Sequence, residues 1–290
     1  MRIVVTGAGG FIGRFLTRTL AGQGHKVYAL VRNSVPDFPS DIEQIELDFH
    51  DSDWAQYLPE KADVLIHLAQ SREYRSFPEG YPDLFAINVR ATFELLEWGR
   101  KRDVEKFIFS STANVYKEKQ GLLLETDPCL PSDMYAASKL CAEHLVQQYS
   151  KIFCTIICRI FTVYGPGQKH MLIPNIIMRI LNREPITLAQ HMGLILTPIH
   201  VEDVCDALAH LSENDSLKSG SIFNVSGNAS ISLKEIIDLI SSELKIKPKI
   251  IVSDGEVRSL CGDSYYTSKF INSFKKFDSE IAEIIKNEYC

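Results

Sequence analysis

Tyr135 and Lys139 stand four residues apart in Tyr135-Ala136-Ala137-Ser138-Lys139, so one helical turn sets a phenol and an ammonium on the same face. A phenol with an ordinary pKa near 10 is a poor base at neutral pH, and a neighbouring cation lowers that value by stabilising the phenolate. The pair reads as an acid/base group that exchanges a proton with a substrate oxygen while hydride moves at the adjoining carbon. Ser110-Ser111-Thr112 ends an apolar run, and a hydroxyl at the carboxyl end of such a strand is placed to orient a carbonyl.

Hydride chemistry of this kind calls for a carrier, and the first strand leads straight into a place for one. Thr6-Gly7-Ala8-Gly9-Gly10-Phe11-Ile12-Gly13 lies between an apolar run and an amphipathic segment, with glycines spaced G-x-x-G-x-x-G. Gly7 permits a tight turn, Gly10 a close approach of backbone to a pyrophosphate, and Gly13 helix–strand contact, while the N–H groups opening at Phe11 and Ile12 face the anion. An acidic residue about 20 residues on would mark a ribose 2′-hydroxyl; Arg32 and Asn33 stand there instead. A guanidinium suits a 2′-phosphate, which favours NADP over NAD. Asp48, after the third strand, is a candidate acceptor for the adenine amino group or a helix cap. Leu68, Ala69 and Gln70 follow the fourth strand, where ligands of a doubly wound sheet bind; His67 reads as a packed core histidine. Gln70, Ser71, Arg72 and the Tyr74-Arg75 pair form a polar, aromatic loop suited to substrate.

Positioning these groups requires a parallel sheet. Apolar runs at Ile3–Val5, Lys26–Val31, Ile45–Leu47, Val64–Leu68, Phe107–Phe109 and Thr155–Ile160 predict buried strands, alternating with helical patterns that include Leu84–Lys101 and Asp133–Tyr149. The expected fold is α/β, a Rossmann-type doubly wound sheet with a smaller α/β lobe. Residues 1–164 with about 190–225 are assigned to the first, and 165–189 with 226–290 to the second. Helices are expected in the later part at Leu172–Leu181, Glu202–Leu211 and Leu233–Leu244, with a strand at Ile222–Val225.

The 290 residues suffice for a large core, and 45% apolar with 23% charged residues excludes a disordered chain. A net charge of −6 argues against a nucleic-acid partner. The seven scattered cysteines include no zinc spacing, so no metal site is expected and the thiols read as reduced. No apolar stretch reaches about 18 residues, and the first strand begins at once; no membrane partner is expected, and the cytoplasm is the expected location.

Taken in order, these segments resemble the extended short-chain dehydrogenase/reductase family of NAD(P)-dependent sugar epimerases, dehydratases and reductases. The likeness rests on Thr6–Gly13, His67-Leu68-Ala69, Asn88, Phe109–Thr112 with Val115-Tyr116, Tyr135–Lys139, Arg159-Ile160-Phe161 and Val163–Gln168. It implies Thr112 as the catalytic hydroxyl, Tyr135 as acid/base, Lys139 as the residue that holds the nicotinamide ribose, and Asn88 beside the cofactor. It also implies a nucleotide-sugar substrate and a homodimer through the helices at Leu84–Lys101 and Asp133–Tyr149.

Family dehydratases carry Asp-Glu after the catalytic hydroxyl; here Ala113 and Asn114 follow it, which argues against elimination of water. NADPH-dependent 4-keto reduction of a nucleotide-activated (deoxy)sugar is the favoured expectation because of Arg32. A 4-epimerase with retained NAD stands as the alternative, with a non-sugar carbonyl reductase or a silent NAD(P)-binding protein behind it. Thr162 replaces the family's Asn, and Leu196 replaces an Arg before Ile199-His200-Val201, both at positions that bind the nucleotide diphosphate. Gln70, Arg72, Thr112, Thr162 and Arg258 are the expected substrate contacts.

Overall fold

The structure is a computed structural model that describes residues 1–74, 76 and 78–289; Arg75 of the expected substrate loop, Phe77 and Cys290 lie outside it. The chain divides into two compact units, one of Met1–Lys117, Pro128–Ile160 and Cys205–Phe223, the other of Glu118–Asp127, Phe161–Val204 and the segment from Asn224 on.

In the first unit β1 (Arg2–Thr6), β2 (Lys26–Val31), β3 (Ile42–Glu46), β4 (Val64–His67) and β5 (Lys106–Thr112) join strands Cys154–Ile160 and Ser221–Val225 in a seven-stranded sheet. The order is β3-β2-β1-β4-β5, then Cys154–Ile160 and Ser221–Val225 at the edge. Pairings from β3 through Cys154–Ile160 are parallel. Central strands of such a sheet are covered on both faces and therefore read as unbroken apolar runs; Ile3, Val4 and Val5 are fully buried. The order reverses between β1 and β4, which opens a crevice at their carboxyl ends. Register carries Thr6 opposite His67 and His67 opposite Phe109, and β5 continues past Phe109 through Ser110, Ser111 and Thr112.

Two expectations are corrected. The third strand begins at Ile42, not Ile45, because pairing with Val27–Leu30 recruits the polar Glu43 and Gln44 on the sheet's edge. The helix expected from Leu84 begins earlier and is not regular. α2 (Tyr81–Leu84) leads into a wide π turn over Phe85–Arg90 before α3 (Ala91–Lys101), a register invisible to a 3.6-residue period. α1 (Phe11–Gly22) follows the glycine turn, and α4 (Met134–Tyr149) carries Tyr135 and Lys139. Asp133 caps α4 by accepting from the Ala136 N–H at 2.7 Å.

The second unit has an isoleucine-rich core between helices Leu172–Leu181, Leu233–Leu244 and Phe277–Glu288. Ser232 and Glu235 form a reciprocal capping box at the start of the second of these. The third helix was not anticipated, although Ile281, Ile284 and Ile285 carry the three- and four-residue spacing that marks it. Among the described residues no helix is long and apolar enough to cross a membrane.

Lys106, buried at the start of β5, sends its ammonium to the carbonyls of Leu211, Ser212 and Asn214 at 3.2, 2.8 and 3.1 Å. A cation is favoured at this helix end, where last-turn carbonyls lack intrahelical donors. Lys106→Met should leave these buried acceptors unmatched and lower unfolding stability by about 1–3 kcal/mol in urea titration; an unchanged midpoint would refute the capping role.

Candidate active site

The glycine turn is defined by what its backbone touches. Gly7 has φ +66°, and a Cβ there would lie 2.8 Å from the Ala69 nitrogen and 2.9 Å from the Leu68 carbonyl carbon. A Cβ at Gly13 would lie 2.3 Å from the Gly7 carbonyl oxygen. Glycine at both places lets the β1–α1 turn pack against the chain leaving β4 and against α1. Gly10 is the N-cap of α1, with no side chain capping it and no acidic residue in the first turn. Phe11 and Ile12, both half-buried, begin that turn. This is an end suited to an anion.

Arg32 and Asn33 are exposed beyond β2. The Asp48 carboxylate accepts from the His50 backbone N–H at 2.9 Å and lies 2.8 Å from His50 Nδ1. Burial raises its pKa, but those bonds and the charges of His50 and Arg32 outweigh it and hold it below the usual carboxylate value. His50 Nε2 meets Asp83 at 2.9 Å, and the Asp83 carboxylate also accepts from the Ser71 hydroxyl. The segment expected at the adenine is therefore tied to the loop after β4.

Around Tyr135 the structure brings several expected residues together. The Tyr135 hydroxyl donates to Gln70 Oε1 at 2.9 Å, and the neighbouring Thr112 hydroxyl favours its ionised form. The Tyr74 ring lies 5.6 Å from the Tyr135 ring. Burial pushes the phenol well above its usual pKa, Thr112 works against the shift, and Tyr74 and Asp133 add to it. One turn on, Lys139 is 1% exposed; its Nζ has no hydrogen-bond partner among the described residues and lies 4.5 Å from the Phe109 ring centroid. Burial brings this ammonium down to about 7, with Glu143 opposing. A buried polar group without a partner is rare, and here it stands one helical turn from the acid/base candidate.

Glu143 was not anticipated, although it follows Lys139 by the same four residues. It accepts from Arg159 Nε and Nη2 at 3.0 and 2.7 Å and from the Ser111 hydroxyl, all buried. Asn88 sits in the wide turn with both ends of its amide engaged. Oδ1 accepts from the Ser71 N–H and Nδ2 donates to Ser138 Oγ, each at 2.9 Å. Leu68 and Ala69 line the Gly7 contact, and Arg72 is exposed. Ala113 and Asn114 form a short 3-10 turn after Thr112, with Asn114 exposed and Ala113 buried; neither side chain can give or take a proton in water elimination.

In the second unit Thr162 is half-buried and its carbonyl accepts from the Ile199 N–H at 2.9 Å. Leu196 is buried in a short strand paired with Ser259–Gly262. The exposed Arg258 guanidinium pairs with Glu118 through Nε at 3.0 Å and through a second, shorter contact.

The sequence model of the NAD dependent epimerase/dehydratase family matches residues 3–226. The chain belongs to that family. A relative from Bacillus subtilis strain 168, named as an uncharacterized UDP-glucose epimerase, YtcB, is 29% identical over 274 residues, which span 88% of this chain and 85% of the relative. The structure of UDP-glucuronic acid 4-epimerase from Bacillus cereus, in complex with UDP-glucuronic acid and NAD, superposes with a TM-score of 0.88 at 25% identity and covers 100% of both chains. MoeE5, in complex with UDP-glucuronic acid and NAD, gives 0.87 at 26% identity over 99% of this chain and 98% of its own. This epimerase/dehydratase family member therefore carries its glycine turn, Thr112, Tyr135 and Lys139 on the fold that those two proteins share.

The unmatched ammonium of Lys139 has a measurable consequence. Its pKa is about 7 folded against 10.5 ordinarily, so between those values the unfolded chain binds more protons and stability rises with pH. Below about 7 the penalty is complete. Lys139→Met should therefore make the cofactor-free protein more stable than wild type at pH 6, and the difference should shrink toward pH 10. A pH-independent difference in melting temperature would contradict the assignment.

Proposed function

We propose that this chain is a nucleotide-sugar 4-epimerase that retains NAD, with a UDP-linked hexose or uronic acid as substrate. The observation that carries the reading is the Tyr135 hydroxyl, bonded to Gln70 at 2.9 Å, one turn from the buried, unmatched Lys139 ammonium. Support comes from the NAD-binding UDP-sugar relatives and from Ala113-Asn114, which lack the acid/base pair that dehydration needs.

The orphaned Lys139 Nζ and the glycine-lined turn fit a nicotinamide dinucleotide. The turn from Gly7 to Gly13, Asp48 and the Leu68–Gln70 segment would hold it, with Lys139 toward its nicotinamide ribose. When bound, NAD supplies a hydride acceptor that also returns the hydride. Tyr135 takes the proton from the sugar's 4-hydroxyl and gives it back after the keto sugar turns its other face. Thr112 holds the same oxygen, and the Lys139 charge stabilises the phenolate. Gln70 keeps the phenol oriented through the hydrogen bond it accepts. Asn88 acts as a positioning residue, since its amide is spent on Ser71 and Ser138. Thr162 and Arg72 are assigned to the substrate. Arg258 is left out of that assignment because Glu118 engages its guanidinium.

NADPH-dependent reduction of a 4-keto sugar is the second reading, favoured by the exposed Arg32 at the end of β2. A homodimer through Tyr81–Lys101 and α4 fits the exposed Phe85 and Phe93, 57% and 46% accessible, and size-exclusion chromatography with light scattering tests it.

Denaturing the purified protein and identifying what it releases separates the two readings. NAD, with UDP-sugar 4-epimers interconverting at constant nicotinamide absorbance, is the expected result; stoichiometric oxidation of NADPH by a 4-keto nucleotide sugar would replace it with the reductase. Tyr135→Phe should lower kcat by about 10²–10⁴-fold, and wild-type turnover in that variant would end the acid/base assignment. If the Arg32 guanidinium reads a 2′-phosphate, Arg32→Glu weakens NADP binding far more than NAD binding in calorimetry; the epimerase reading expects equal, small effects.

A further inference from the structure

His67 takes no part in the acid/base group, yet it is fully buried at the carboxyl end of β4 among the rings of Phe49, Phe107 and Phe109. Both ring nitrogens meet hydroxyls: Nδ1 lies 2.6 Å from Thr6 Oγ1, and Nε2 lies 2.9 Å from Thr92 Oγ1. Counting hydrogens gives each bond a direction. The Thr92 hydroxyl donates to the Asn88 carbonyl at 2.8 Å, because a carbonyl only accepts. Toward His67 it has only lone pairs to offer, so Nε2 carries the hydrogen. At the other side the Ala69 N–H donates to Thr6 Oγ1 at 3.1 Å, and the Thr6 hydroxyl hydrogen is directed to Nδ1. A proton on Nδ1 would set a second donor against Thr6 Oγ1 and force the hydroxyl hydrogen to seek another acceptor. Burial, with the charge of Lys139, presses the same way and holds the imidazole well below its usual range.

The bonds thus run in one direction, from Ala69 through Thr6, His67 and Thr92 to Asn88. Their two ends are functional places. Thr6 immediately precedes Gly7 of the glycine turn. Asn88 lies in the wide turn of Phe85–Arg90, and its amide nitrogen donates to Ser138 Oγ, which donates to the Tyr135 carbonyl at 2.7 Å. Wide helical turns of this kind lose the regular spacing of backbone bonds and collect at functional sites. The Thr92 hydroxyl holds one of the carbonyls of this one.

We propose that His67, as the neutral Nε2–H tautomer, is a positioning residue that locks the Asn88 turn, and through it the Tyr135 turn of α4, to the glycine loop. Its catalytic consequence rests on the epimerase reading; its tautomer does not.

Two measurements on the full chain test it. Nitrogen-edited NMR of the imidazoles, with His67→Gln to assign the signal, is expected to show His67 neutral with hydrogen on Nε2 from about pH 5.5 to 8.5. An Nδ1–H signal, or titration within that window, overturns the proposal. Thr92→Val keeps the side-chain volume but removes both bonds, whereas Thr92→Ser keeps them. The valine variant should lose about tenfold in kcat with the substrate KM within about twofold, since misplaced reacting groups slow chemistry more than binding, and the serine variant should recover the rate. Wild-type kcat in the valine variant, or an equal loss in both variants, refutes the positioning role. If the wild type turns over no nucleotide sugar, the function reading fails by itself and the NMR result still decides this one.

Discussion

The close approach of the chain at the ends of β1 and β4 is the constraint on which the site depends. Gly7 lies against Leu68 and Ala69 so tightly that a single methyl group would stand 2.8 Å from a backbone nitrogen. Thr6 faces His67 in the sheet, and His67 faces Phe109. These contacts set three strand ends in a row, from which extend the glycine turn after β1, Gln70 after β4 and Thr112 at the end of β5. A slip of one residue in any pair would turn alternate side chains to the other face and separate Thr112 from Tyr135.

Across this row lies α4, which carries Tyr135, Lys139 and Glu143 at intervals of four. The three side chains share a helix face but have different electrostatic fates. Glu143 is neutralised by a buried guanidinium and by Ser111, so little of its charge remains to offset that of Lys139. Arg159 holds its proton more tightly than usual: burial opposes the charge, but the bonds and charge of Glu143 outweigh it. A buried ion pair of this kind contributes little net stability and penalises the loss of either partner. Lys139, by contrast, is left buried and unmatched, a local instability of the sort that functional sites retain.

Two positions expected to meet substrate or its phosphates, Leu196 and Arg258, belong to the second unit. Leu196 is packed in a strand of the second unit, and Arg258 is drawn into a pair with Glu118.

Sequence alone determined what depends on short-range pattern. Unbroken apolar runs marked the parallel strands because both sheet faces are covered. The G-x-x-G-x-x-G spacing marked the turn because only glycine admits its contacts, and the four-residue interval placed Tyr135 with Lys139 because a helix turns in 3.6 residues. Tertiary structure decided what depends on partners distant in the chain. The early start of β3 comes from pairing with β2, since Glu43 and Gln44 carry no apolar signal of their own. The wide turn at Asn88 is stabilised by Ser71, Thr92 and Ser138, residues up to 50 positions away. The tautomer of His67 is set by two threonines 61 and 25 residues from it. Hydrogen-bond direction and burial are properties of an assembled neighbourhood, and no local spacing encodes them.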